Sequence, residues 1–324
     1  MSFSEQPNSP SRWHVSLILL LGIAAVSTAA ILTRFASLSV SASLSGFSLV
    51  IAASRMGFAA LLLVPLWRSI LKNRPSGAAW RWAIAAGFVL ALHFASWITS
   101  LSYTSIAAST TLVTTNPLWV TLLSWWWYGD KPRLLTWLGI GIALLGSSFI
   151  GFGSQATAIA TNPLLGNALA LLGAMTASFY FLLGREAQQR GLSLSHYAAI
   201  AYTTAAIFLF PIPFGLGLGY TGYSAQTYLY LLLIALIPQL VGHTSLNWAI
   251  RWVSPTQVAL TILLEPVFSS VLAVILFKEI PSSLTWLGIA LLLLGVGVTA
   301  FRPAIAPPNS KKRDFASDEN HKGD

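Results

Sequence analysis

The sequence predicts an all-α integral membrane protein whose ten transmembrane helices form two inverted five-helix repeats. Three observations predict it. Only 8% of the 324 residues are charged and 55% are hydrophobic, with a mean hydropathy of +0.71. A soluble domain carries about 25% charged residues, so this chain cannot cover its surface against water. Continuous apolar runs of roughly twenty residues recur along its length, each able to cross a hydrocarbon core of about 30 Å as a helix. They do not alternate in polarity, which argues against a barrel. Finally, Thr136-Trp137-Leu138-Gly139-Ile140 recurs as Thr285-Trp286-Leu287-Gly288-Ile289. The same shift of 149 residues carries Pro117 onto Pro266, Asp130 onto Glu279, Pro132 onto Pro281 and Leu144-Leu145-Gly146 onto Leu293-Leu294-Gly295.

The elements follow in order. Residues 1–13 are polar and are expected to be a cytoplasmic N-terminal segment. The first helix is expected at 14–37. Ser27-Thr28-Ala29 resembles a cleavage site, but the run is long for a signal core, and its loss would leave unequal halves. Further helices are expected at 47–69, 79–102, 105–127 and 134–153, completing a first repeat over 14–153. The second repeat, 163–302, holds helices at 163–184, 196–217, 226–250, 254–277 and 282–302. Turn chemistry separates them, as at Asn73-Arg74-Pro75-Ser76-Gly77, Asp130-Lys131-Pro132 and Thr161-Asn162-Pro163. Ser254-Pro255 reads as an N-cap followed by proline at the first helical position. The tail, 303–324, is polar and mixed in charge and is expected to be disordered in the cytoplasm.

The basic residues give the orientation. When alternate loops are assigned to opposite sides, all but three of the 18 Lys and Arg fall on the side that holds both termini. Arg34 and Lys278 fall on the other side, and Arg55 lies within the second helix. The positive-inside rule then puts both termini in the cytoplasm, with the plasma (inner) membrane as the expected location. Trp80, Trp82 and Trp125-Trp126-Trp127-Tyr128 fall at the inner interface. Five helices is an odd number, so the second half enters from the opposite face. Inverted halves in a long apolar chain are the signature of a secondary transporter working by alternating access.

Few polar groups lie deep in the runs. Glu265 is the one carboxylate there, about eleven residues into its helix, near the midplane at a 1.5 Å rise per residue. An ionisable group at that depth costs about 2.5 kcal/mol or more unless it meets a partner or a wet cavity. It fits proton coupling, substrate contact or structural pairing. Arg55 lies about 12 Å below the outer face. It can snorkel, cap carbonyls or bind an anionic group. His93 and His243 occupy nearly corresponding places in the halves, and each can relay a proton or bridge helices as a neutral hydrogen-bonder. Trp97 follows His93 by one turn. Gln239, His243 and Asn247 make a polar stripe on an otherwise apolar helix, expected to look into the protein. Asn116-Pro117 aligns with Glu265-Pro266. A proline inside a helix removes a backbone bond, so Pro117 and Pro266 are expected to break two helices beside mid-membrane polar groups. That geometry serves either a binding site or packing.

These residues resemble the ten-helix EamA-type members of the drug/metabolite transporter superfamily over about 14–302. The resemblance rests on the paired halves, Arg55, His93-Phe94-Ala95-Ser96-Trp97, Ser100-Leu101-Ser102-Tyr103-Thr104-Ser105, the segment through Pro117 and the Trp-Leu-Gly stretches. The family's turn often reads Gly-Glu, where this chain has Gly129-Asp130 and Lys278-Glu279. The resemblance implies a carrier of metabolites or amino acids, commonly moved outward.

Other classes fit less well. An intramembrane enzyme needs paired carboxylates, a metal cluster or an activated nucleophile. The spans offer one carboxylate, no Cys and no histidine pair at ligand spacing. A channel needs no inverted repeat, and a subunit of a larger complex needs no complete ten-helix bundle. No cofactor or metal is expected. The expected partners are the bilayer and a small-molecule substrate. The net charge of +9 is topological and calls for no nucleic acid. A homodimer is compatible with the sequence.

Overall fold

A computed structural model describes residues 10–40, 44–103, 109, 112–153, 162–277 and 282–300. The N-terminal segment before residue 10, Thr104-Ser105, the turn at Lys278-Glu279 with Pro281, and the tail lie outside the described residues. Among the described residues all regular structure is helical. The first half holds α1 (Arg12–Leu38), α2 (Leu44–Leu62), α3 (Leu66–Lys72), α4 (Gly77–Ser100), α5 (Asn116–Tyr128) and α6 (Leu134–Gly153). The second holds α7 (Pro163–Gln189), α8 (Leu194–Leu209), α9 (Ile212–Gly215) and α10 (Ala225–Ile234). A π-helical segment (Ala235–His243) follows, then α11 (Thr244–Ala249), α12 (Pro255–Ile262), α13 (Glu265–Phe277) and α14 (Ser283–Ala300).

Among the described residues, five stretches are long and apolar enough to cross a bilayer: Trp13–Leu38, Gly77–Ser100, Leu164–Gln189, Leu194–Gly215 and Ala225–Ala249. A sixth is reached if α2 and α3, bent by 67°, form one span. The other expected spans are shorter or broken. α6 and α14 are apolar over Leu134–Phe149 and Trp286–Gly295, and the fourth and ninth are interrupted before α5 and α13. Pro65 explains the bend that the sequence reading ran straight through at 47–69, because it sits immediately before α3 and cannot donate into the preceding turn. Pro238 acts differently within the eighth helix. Lacking an N–H, it widens the turn into the π segment rather than ending the rod.

Side chains cap the helix starts. Ser11, Ser76, Asn162, Ser193, Ser224 and Ser254 each accept a backbone N–H from the first turn of the helix that follows. Ser254 and Gln257 complete a reciprocal capping box. Gly129, at φ 73°, ends α5 in the left-handed conformation that glycine adopts freely.

Packing is close because the facing residues are small. A Cβ on Gly87 of α4 would lie 2.5 Å from the Ala201 carbonyl of α8. One on Gly173 of α7 would lie 3.1 Å from Trp97 Cβ. The pairings recur in both halves. α4 lies along α7, while α1 lies along α10, the π segment and α11. α5 lies on α7, as α13 lies on α1. The two repeated Trp-Leu-Gly helices, α6 and α14, meet each other. A Cβ on Gly146 would lie 2.6 Å from Gly288 O and 2.5 Å from Leu292 N. One on Gly295 would lie 2.7 Å from Gly139 O and 2.5 Å from Ala143 N. Numbers rise along one rod as they fall along the other, so this contact is antiparallel, and the 149-residue shift exchanges its two sides.

Aromatic residues gather at the ends. Trp82 packs edge-on against Trp127 at 5.6 Å, with Arg190 over the Trp82 ring and Arg185 over Tyr128. Arg190 also pairs with Glu186. Phe210, Phe214 and Tyr220 form a second group in the connection from α8 to α10. Such belts suit the two bilayer interfaces.

Candidate functional site

Arg55 is the largest side chain that is almost wholly enclosed, at 1% exposure. It projects from α2 toward the π segment. Its Nε donates to Gln239 Oε1 at 2.7 Å, and its guanidinium carbon lies 4.2 Å from the Phe94 ring centre on α4. That cation–π contact is one that sequence reading missed. Phe94 in turn meets His243 edge-on at 5.5 Å. Among the described residues no carboxylate pairs with Arg55. Arg55 Nη2, Gln239 Nε2 and His243 Nδ1 are buried without a hydrogen-bond partner. Because the arginine N–H fixes the amide with its oxygen inward, the unpartnered Gln239 atom is a donor.

His93 and Trp97 stack at 6.0 Å with planes 6° apart. His93 Nδ1 lies 2.9 Å from Gly173 O, and since a carbonyl only accepts, Nδ1 carries the proton. Trp97 Nε1 is buried without a partner. The π segment sets the polar stripe: Gln239, His243 and Asn247 are all buried, as expected, but they face different neighbours. Gln239 and His243 belong to the Arg55 cluster. Asn247 Nδ2 donates to Tyr180 OH at 2.5 Å, and its backbone carbonyl accepts from Gln188 Nε2 at 3.0 Å. Tyr202 OH lies within 3.1 Å of Thr244 Oγ1, one residue beyond the π segment. Tyr180, Gln188 and Tyr202 were not foreseen. Gln188 was visible as a polar residue just beyond an apolar run, whereas the tyrosines gave no signal.

The helix breaks coincide with the aligned prolines. Backbone turns at Thr114-Thr115 and Leu263-Leu264 precede α5 and α13. Pro117 and Pro266 are therefore second residues of new helices rather than kinks inside continuous ones, positions where a missing N–H is tolerated. The tight bond from Leu118 N to Thr115 O has its counterpart from Val267 N to Leu264 O. Asn116, at the first break, donates through Nδ2 to Ser178 Oγ at 2.8 Å, and its Oδ1 has no partner. Glu265 occupies the same place at the second break and is partly exposed. Among the described residues no ion pair joins it to Arg55.

At the turn between α5 and α6, against the start of α12, lies a small open recess. Thr121, Ser124, Asp130 and Thr136 line it from one half, and Ser254, Thr256, Gln257 and Leu260 from the other. Thr121 Oγ1 and Ser124 Oγ are buried there without partners. The lining does not include Arg55, so the buried cluster and the recess are separate features. Among the described residues no group of three or more His, Cys, Asp or Glu converges on a metal-sized site.

The profile of the EamA-like transporter family matches residues 16–152 and again 164–301. The chain belongs to that family. It is thus a multi-pass membrane transporter and not an enzyme. Relatives agree in kind. The chain is 26% identical to the uncharacterized transporter YdfC of Bacillus subtilis over 60% of its own length, a stretch that spans 62% of that relative. It is 25% identical to an uncharacterized transporter of Synechocystis sp., covering 78% of this chain and 82% of the other. A crystal structure of a protein superposes with a TM-score of 0.68 at 21% identity, over 89% of this transporter and 97% of that chain, which shows a shared fold.

Proposed function

We propose that this transporter is a secondary carrier that exports a small metabolite across the plasma membrane by alternating access, with both termini in the cytoplasm. The observation that carries this reading is the pair of matched helix breaks, at Asn116 and Glu265, placed beside a buried polar cluster. Broken helices at the meeting of two repeats free backbone groups for a solute at mid-membrane depth. The antiparallel, exchangeable contact of α6 with α14 supports two inverted five-helix halves. In such a pair, inward-open and outward-open arrangements have similar energies. The recess beside Asp130 and Ser254 is then an inner mouth. Glu265, partly exposed at a break and not ion-paired among the described residues, is suited to take up a proton outside and release it inside while solute moves the other way.

The test is counterflow in proteoliposomes, using compounds that accumulate in the medium of overexpressing cells. Saturable uptake of labelled compound against trapped unlabelled compound supports a carrier. Flux that does not saturate and shows no exchange stimulation overturns it in favour of a channel.

A further inference from the structure

The Arg55 cluster holds buried donors that have no hydrogen-bond partner among the described residues. The side-on face of a guanidinium, Nε with Nη2, is the fork that grips a carboxylate through two parallel bonds. Here Gln239 Oε1 holds Nε at 2.7 Å, and the adjacent Nη2 is unpartnered. Gln239 Nε2 is a further buried donor without a partner, although the Tyr202 phenol approaches that amide. Trp97 Nε1 is another. Phe94 covers one face of the guanidinium, which leaves its edge as the direction for an anion. Among the described residues no carboxylate forms an ion pair with Arg55.

We propose that Arg55 and Gln239 anchor a carboxylate group of the transported molecule, one oxygen on Arg55 Nη2 and one on Gln239 Nε2. This deepens the carrier reading above and rests on it. Carboxylate is favoured over phosphate by charge. The cluster holds one permanent cation, which balances a monoanion, whereas a phosphate dianion would bury one negative charge unbalanced. A planar two-oxygen group also matches two donors better than a tetrahedral one. A cationic or purely neutral solute would leave the guanidinium without a counter-charge.

The experiment uses the purified full chain in detergent. Melting temperature is read against a panel of α-amino acids and short monocarboxylic acids, each matched with its carboxamide, plus phosphate monoesters. At least one carboxylate should raise the melting temperature saturably while its carboxamide does not. Losing a charge-assisted bond should weaken the response of Arg55→Gln by about tenfold or more, and Gln239→Ala should weaken it less. The comparison of acid with amide uses wild-type protein, so it stands even if Arg55→Gln does not fold. No shift from any carboxylate, equal shifts from acid and amide, or a larger shift from phosphate monoesters each overturns the proposal. Counterflow judges the carrier reading separately. A compound exchanged equally well as its amide leaves the carrier standing and removes the anchor.

Discussion

Arg55 and Gln239 are 184 positions apart in the chain and 2.7 Å apart in space. One lies in each half, so this buried charge-assisted contact is also a link between the halves. It crosses from α2 to the π segment, where Pro238 has widened the turn one residue before Gln239.

Supplying the missing charge from within tests that link. Gln239→Glu should pair with Arg55 internally and compete with any anionic solute. A charge-assisted bond is worth roughly 1.5–3 kcal/mol. Melting temperature should therefore rise, and exchange in proteoliposomes should fall by about tenfold or more. Unchanged exchange would mean that solute does not touch the pair.

Glu265 is judged by a different flux. Glu265→Gln should abolish transport driven by a pH gradient while leaving solute exchange, which moves no net proton. Gradient-driven flux at the wild-type rate would move the coupling elsewhere, with His93 and His243 the next residues to replace.

Topology has its own assay. Reporter fusions after Arg185 and after Arg302 should report cytoplasm, and one at Gly219 should report the outside. Arg185 over Tyr128, and Arg190 over Trp82 beside Trp127, place these groups at one end of the bundle. The same side reported at Gly219 and Arg185 would remove the inversion.

The glycine seam predicts matched losses. Gly146→Ala and Gly295→Ala should each destabilise by about 1–3 kcal/mol, because the added methyl overlaps backbone on the facing helix. Gly141→Ala, with no atom within 4 Å of the added carbon, should be neutral or gain up to about 1 kcal/mol of helix propensity. Thermal unfolding of the three variants decides it.

Much of the site was legible before any coordinates. Arg55, His93, Gln239, His243 and Asn247 stand out because polar groups are costly in lipid and must turn inward. Their partners were not legible. Phe94 under Arg55, Gly173 beside His93 and Ser178 against Asn116 depend on how each helix is rotated about its axis, and a uniformly apolar run does not record that rotation. The positions of Pro117 and Pro266 were legible, but not that each begins a new helix. Local bonding at Thr115 and Leu264 decides this. Pro65 was in plain view, yet apolar residues on both sides concealed its bend.

The seam between α6 and α14 follows the contact rule of an isologous dimer: if one residue meets a second, the counterpart of the second meets the counterpart of the first. Two separate chains would have to find that arrangement by collision. Here both halves are on one thread, and the encounter is intramolecular, at an effective concentration set by the connection from α6 to α7. Self-recognition is then no longer required of either half. Each half is free to drift wherever the seam does not constrain it. At the two helix breaks the halves differ, since one carries the neutral amide of Asn116 and the other the acid of Glu265. Reversing the two, as Asn116→Glu with Glu265→Asn, would ask whether the direction of the proposed transport follows from the paired halves or from these two side chains.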